Sequence, residues 1–154
     1  MRKKGISKIE FLFSVFVFSL VLLSLSNFIS ERMMETFYDM SSQVAKIRCE
    51  KIADILVKES GIPENWEKSG SFPVRLGLAS GLYNLSQDKL NELANNCTLF
   101  EKAFEIYGYR LRVINLTDNS IILNCGSYGN LRARCERSVE INGYKGKVIL
   151  EIWW

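Results

Sequence analysis

Met1-Arg2-Lys3-Lys4-Gly5-Ile6-Ser7-Lys8-Ile9-Glu10 leads directly into Phe11-Leu12-Phe13-Ser14-Val15-Phe16-Val17-Phe18-Ser19-Leu20, and no charge interrupts the chain until after Ser30. Twenty uncharged residues in helical form span about 30 Å, the hydrocarbon thickness of a bilayer. Arg2, Lys3, Lys4 and Lys8 place the N-terminal end of that run in the cytoplasm, because basic flanks are retained on that side. Beyond Ser30 nothing breaks the helix. Residues 31–60 hold neither Gly nor Pro, and Met33, Phe37, Met40, Val44, Ile47, Ile52, Ile55 and Leu56 recur at helical spacing among charged residues. Ser60-Gly61 followed by Pro63 is a stop signal. The pattern predicts one helix from near Phe11 to about Ser60. Its first half is apolar all round; its second half is amphipathic, with that stripe turned toward a packed head. Ser14, Ser19, Ser24, Ser26 and Ser30 let helices approach closely, although such serines commonly bond their own backbone.

The rest of the composition narrows the function by exclusion. The chain has 154 residues, enough for one domain and an anchor, with 20 basic and 17 acidic side chains. Setting aside Arg2, Lys3 and Lys4 leaves the two signs equal, so no positive field remains to attract nucleic acid. Histidine is absent, which removes the common general base and the common zinc ligand. No phosphate-binding loop, metal-ligand spacing or nucleophile-and-base pair occurs, so neither enzymatic activity nor a metal or cofactor is expected. Arg132, Arg134 and Arg137 suggest an anion patch, but Glu136 and Glu140 lie among them and favour a solvated strand face.

All four cysteines, Cys49, Cys97, Cys125 and Cys135, follow the apolar run. A run that crosses a membrane with its basic end inside delivers them to an oxidising space, where two disulfides form. Four cysteines allow three pairings. Closeness in sequence favours Cys125–Cys135 on neighbouring strands, leaving Cys49–Cys97 to tie the long helix to the head.

Glu10 has no obvious place in a signal peptide or a simple anchor. A carboxylate in a membrane helix costs roughly 2–4 kcal/mol near the bilayer centre and less at its edge. The hexapeptide Gly5-Ile6-Ser7-Lys8-Ile9-Glu10, behind Lys3-Lys4, resembles the processing site of type IV prepilins, and in particular the archaeal class III signal peptide. The resemblance implies cleavage after Gly5 by a prepilin peptidase, Ile6 as the first mature residue and Glu10 as the fifth. It also implies that the freed α-amino group pairs with Glu10, on a neighbouring subunit by analogy with the family. Ile6 departs from the phenylalanine of bacterial pilins and the glutamine common in archaeal ones, and no proline kinks the run. A competing secretory cleavage between Ser26 and Asn27, with Ser24 and Ser26 as the small residues before the cut, breaks the continuous helix.

The head opens with Gly61-Ile62-Pro63-Glu64-Asn65-Trp66, a turn that plants Trp66 by packing. This segment, with Arg75-Leu76-Gly77-Leu78-Ala79 beyond it, is similar to one that follows the long helix in archaeal pilin-like proteins. Ser86 caps a helix through Leu90, Leu93, Ala94 and Cys97, and a second helical stretch reaches about Ile106. After Gly108 the period becomes two. Strands are expected at Tyr109–Val113 and Ile121–Leu123, around a turn at Asn115–Ser120. Arg134–Ile141 and Lys147–Trp154 form a hairpin about Asn142-Gly143-Tyr144-Lys145-Gly146, with Val148, Leu150, Ile152 and Trp154 on one face. Three sequons, at Asn84, Asn96 and Asn115, suit a surface-exposed head.

The expected fold class is α+β: a long N-terminal helix, membrane-spanning then amphipathic, on a small antiparallel sheet of four strands. The expected organisation is a leader at residues 1–5, a membrane or filament-core helix at 6–30, its amphipathic continuation at 31–60 and an extracytoplasmic head at 61–154. The expected function is that of a structural subunit, minor pilin or pseudopilin, of an archaeal type IV-like surface filament. Its partners are other pilin subunits, the peptidase and the membrane, without nucleic acid. The alternative is a single-pass anchored binding domain that does not polymerise.

Overall fold

The computed structural model describes residues 8–70 and 72–153. The leader with Gly5 and Ile6, Ser71, Trp154, and the side chains of Lys8 and Glu35 lie outside the described residues. The chain divides between Ser41 and Ser42 into two units, each with its own internal contacts. A single helix, α1 (Lys8–Lys58), supplies the first unit and enters the second. In the first unit every residue from Ile9 to Met40, Glu35 aside, is exposed. The hydroxyls of Ser14, Ser19 and Ser24 donate to the carbonyls of Glu10, Val15 and Leu20 at 2.8, 2.9 and 3.0 Å, which quiets those polar groups within the helix itself.

The second unit is α+β. Its elements are the end of α1, α2 (Trp66–Ser69), β1 (Ala79–Gly81), β2 (Asn84–Leu85), α3 (Gln87–Asn95), α4 (Thr98–Phe104), β3 (Tyr109–Asn115), β4 (Ile121–Gly126), β5 (Ala133–Ile141) and β6 (Tyr144–Ile152). They form one sheet in the order β1-β2-β5-β6-β3-β4. The four expected strands are present and antiparallel, but the sheet has six strands and is mixed, because β2 runs parallel to β5. β1 and β2 are two or three residues long, too short to show a period of two.

The β5–β6 hairpin turns on Asn142 and Gly143 alone, with φ of 51° and 81°, where a five-residue loop was expected. Two successive left-handed residues make the turn that matches the twist of paired strands. Tyr144, Lys145 and Gly146 therefore belong to β6, facing Ile141, Glu140 and Val139. Ser86 caps α3 as expected, accepting from the Lys89 backbone N–H.

The core lies between one face of the sheet and the helices. Leu111, Val113, Val148, Leu150 and Ile152 of the sheet are fully buried with Leu56 and Val57 of α1, Leu90 and Leu93 of α3, and Phe100 of α4. The buried face of α1 is Ala45, Cys49, Ile52, Ala53, Leu56 and Val57. Ile52 and Leu56 of the expected stripe are buried, whereas Val44 and Ile47, placed on it by helical spacing, are 55 % and 67 % exposed, and Met33, Phe37 and Met40 are exposed as well.

The cysteine pairing also differs from expectation. Bonds join Cys49 to Cys135 and Cys97 to Cys125. The register Cys125↔Leu111↔Leu150↔Cys135 places the two strand cysteines at opposite ends of one cross-strand row, with two strands between them. At about 4.8 Å per strand they are about 14 Å apart, beyond the reach of a disulfide. Each points into the core and meets the helix beneath it: Cys135 meets α1, and Cys125 meets the α3–α4 junction.

Candidate functional site

Two regions carry the residues singled out by sequence. The first is the start of α1. Glu10 lies in its first turn, exposed, where the positive end of the helix dipole favours a carboxylate. The helix has the length and composition to cross a membrane once. Its exposed apolar surface outlasts the charge-free run: Met33, Met34, Phe37, Tyr38 and Met40 are each more than half exposed, with a shallow groove between Phe28 and Met40. Gly5 and Ile6 lie outside the described residues.

The second region is the junction where α1 ends, and it unites both head segments noted by resemblance. The last carbonyls of a helix have no partner within it. Here Leu78 and Ala79 donate to the carbonyls of Leu56 and Glu59 at 3.0 Å, and Tyr83 donates to Val57. The 61–66 turn pairs with the same strip through Ile62 N–H to Arg75 O at 2.9 Å and Trp66 Nε1 to Gly77 O at 2.9 Å. Arg75 closes the contact on Glu59 at 3.0 Å. Lys89 reaches in from α3, 3 % exposed, and donates to Ser60 O at 2.6 Å and Ala79 O at 3.1 Å. Burial pulls the Lys89 ammonium below the ordinary lysine range, while Glu67 and Glu64 counter that pull. Trp66 is thus a packing residue.

Gly77 is needed at this junction because a side chain there would collide with the backbone of Glu59 and Gly61. Gly77→Ala is expected to destabilise the head by about 1–3 kcal/mol, the usual range for overpacking, read as a lowered urea midpoint by tryptophan fluorescence.

The outer face of the sheet is a ladder of ion pairs. Arg112 meets Glu151 at 3.3 Å, Arg134 meets Glu136 at 2.6 Å, and Lys147 meets Glu136 at 2.9 Å. Lys147 first, then Arg134, holds the Glu136 carboxyl below the usual carboxylate range. Arg137 does not join Arg134 here. It points to the inner side and bonds Asp54 of α1 at 2.6 Å, so the three arginines make no common anion patch. Asp54 titrates low because Lys58 and then Arg137 bond its carboxylate. The Tyr109 hydroxyl, donated to Cys97 O at 3.0 Å, is pushed up to about 12 by burial.

One cavity of about 240 Å³ gathers Glu67 and Glu92, with Lys102, around Trp66 and Phe72, a mixed lining that selects no single charge. Among the described residues no group of three or more His, Cys, Asp or Glu side chains could hold a metal ion. Asn84 and Asn96 are exposed, and Asn115 is half-buried at the end of β3. No protein-family model, curated protein or solved structure matches this chain.

Proposed function

We propose that the chain is a structural subunit of an archaeal type IV-like surface filament, a minor pilin or pseudopilin. Residues 1–5 are removed by a prepilin peptidase at the cytoplasmic face, and the mature helix passes from the bilayer into a bundle of its own kind. The sequence support is the Gly5-to-Glu10 pattern behind its basic leader.

The observation that carries the reading over a plain anchor is the extent of exposed apolar helix. A bilayer covers about twenty residues of helix. The apolar side chains of Met33, Met34, Phe37, Tyr38 and Met40 continue beyond that length and are exposed. A solitary anchored domain leaves them in water, whereas neighbouring helices in a bundle cover them.

The test is the mature N-terminus, measured by mass spectrometry on membrane and extracellular fractions. A chain beginning at Ile6, recovered in sedimentable filaments, supports the reading. Gly5 replaced by a bulky residue is expected to leave the full-length precursor in the membrane. A chain that begins at Met1 and stays dispersed identifies the anchored binding domain instead, and one that begins at Asn27 identifies a secreted protein.

A further inference from the structure

Three helices frame the cavity of about 240 Å³ beside Trp66. Glu67 comes from α2, Glu92 and Asn96 from the end of α3, and Lys102 from α4, while Trp66 and Phe72 supply aromatic surface. Trp66 is fixed there, 2 % exposed and donating Nε1 to Gly77 O at 2.9 Å. The Cys97–Cys125 bond and the Tyr109 hydroxyl on Cys97 O hold the α3–α4 junction. The lining belongs to fixed elements, so a ligand meets it without first ordering it.

Charges of both signs line this cavity and stay apart. Among the described residues the side chains of Glu67, Glu92 and Lys102 make no hydrogen bond and no ion pair, and Glu67 Oε2 is buried without a donor. Lys89, the cation that Glu67 acts on, spends its own hydrogen bonds on Ser60 O and Ala79 O. On the sheet face, by contrast, opposite charges meet directly, as Arg134 and Lys147 do on Glu136. Asn96 adds a donor to the cavity. Its carboxamide oxygen accepts from the Thr98 hydroxyl at 2.6 Å, and among the described residues its Nδ2 donates to nothing. A buried carboxylate oxygen without a donor is costly, and a bound donor relieves that cost.

We propose that this cavity binds a free α-amino acid with an apolar side chain. The ligand's ammonium goes to Glu67 and Glu92, its carboxylate to Lys102 and the Asn96 Nδ2, and its side chain to Trp66 and Phe72. A simple cation would meet Lys102, and a simple anion would meet two carboxylates, so the lining suits neither. A zwitterion satisfies both signs at once, and charges that leave water with partners are tolerated where a lone one is not. The size agrees: the cavity is smaller than the about 300–1,000 Å³ of sites for drug-sized molecules, which fits a ligand of amino-acid size. The inference rests on the fold of the head and not on polymerisation.

The experiment is isothermal titration calorimetry of the full chain in detergent. The probes are L-phenylalanine, L-leucine and two singly charged analogues of phenylalanine, phenethylamine and 3-phenylpropanoate. Both amino acids are expected to saturate one site per chain. Each analogue lacks one charge-assisted contact and is expected to bind about tenfold or more weakly than phenylalanine. Lys102→Ala removes an exposed side chain and Glu67→Gln keeps the shape of a half-buried one, so both are expected to keep the native urea midpoint. Each should weaken phenylalanine by about tenfold or more. Lys102→Ala should also weaken 3-phenylpropanoate while sparing phenethylamine, and Glu67→Gln should do the reverse, a split that general damage to the cavity does not produce. No saturable binding of either amino acid, phenethylamine bound as tightly as phenylalanine, or variants that weaken both analogues alike each overturn the proposal. A dispersed chain that begins at Met1 and binds phenylalanine removes the filament reading and leaves this inference standing.

Discussion

The double variant C49A/C135A is expected to lose about 4–5 kcal/mol of stability, and C97A/C125A about 1 kcal/mol less. The bonds close loops with sequence separations of 86 and 28 residues. Chain entropy withheld from the unfolded state grows with the logarithm of loop length, so the longer bond contributes more. A loss of that size is a large part of a typical domain's stability, so C49A/C135A should be mostly unfolded at 37 °C. The second bond also sits against a hydrogen bond, Tyr109 to Cys97 O, that can hold the α3–α4 junction without it. Urea unfolding of the detergent-solubilised chain, followed by tryptophan fluorescence, measures both losses. Non-reducing peptide mapping should join the Cys49 peptide to that of Cys135. A Cys125–Cys135 peptide in its place requires a different strand order and removes the ranking.

That pairing shows where sequence stopped informing on fold. The strands β3 to β6 were legible because Tyr109, Leu111 and Val113 alternate with Arg110 and Arg112, and because Val148, Leu150 and Ile152 recur at period two in the last strand, although Ile149 between them is also apolar and buried. Their order was not. Alternation tells which side chains face inward and nothing about which strand lies beside which, so β6 entering between β3 and β5 escaped notice. The long helix was legible because nothing from Phe11 to Ser60 breaks it. Its buried face was legible in part: Ile52 and Leu56 are buried as their helical spacing implied, but Val44 and Ile47 are exposed, and the small residues Ala45, Cys49 and Ala53 face the core instead and let the sheet approach closely. Gly146 read as a turn glycine, but it lies inside β6, where a side chain would crowd Ile141 and the Ile114 carbonyl. At the candidate sites, the basic leader and Glu10 were legible as local pattern. The junction around Gly77 and Lys89 was not, since it joins Lys89 to a carbonyl 29 residues away.

Glu10→Val is expected to abolish filaments while leaving processing after Gly5 intact. In the proposed pathway the peptidase meets the precursor at the cytoplasmic face, before Glu10 has any neighbour to serve, so cleavage and the mature mass beginning at Ile6 should persist. Assembly is where the charge acts. The cleaved chain carries an α-amino cation, and in a bundle that cation must leave water beside apolar helices at an energetic cost. In the proposed filament Glu10 of the next subunit offsets it, and the two charges together are tolerated where one alone is not. Removing the carboxylate strands the amine, a change on the scale of 3–5 kcal/mol for breaking a buried pair, or more than a hundredfold per contact. Glu10→Gln keeps the shape and a hydrogen bond without the charge, so it should retain a small fraction of filaments; a merely steric role predicts near-normal numbers for it. Negative-stain counting against total mature subunit by immunoblot reads all three chains. Filaments of native abundance from Glu10→Val mean that the carboxylate has no part in assembly, and the exposed apolar helix must then be covered in some other way.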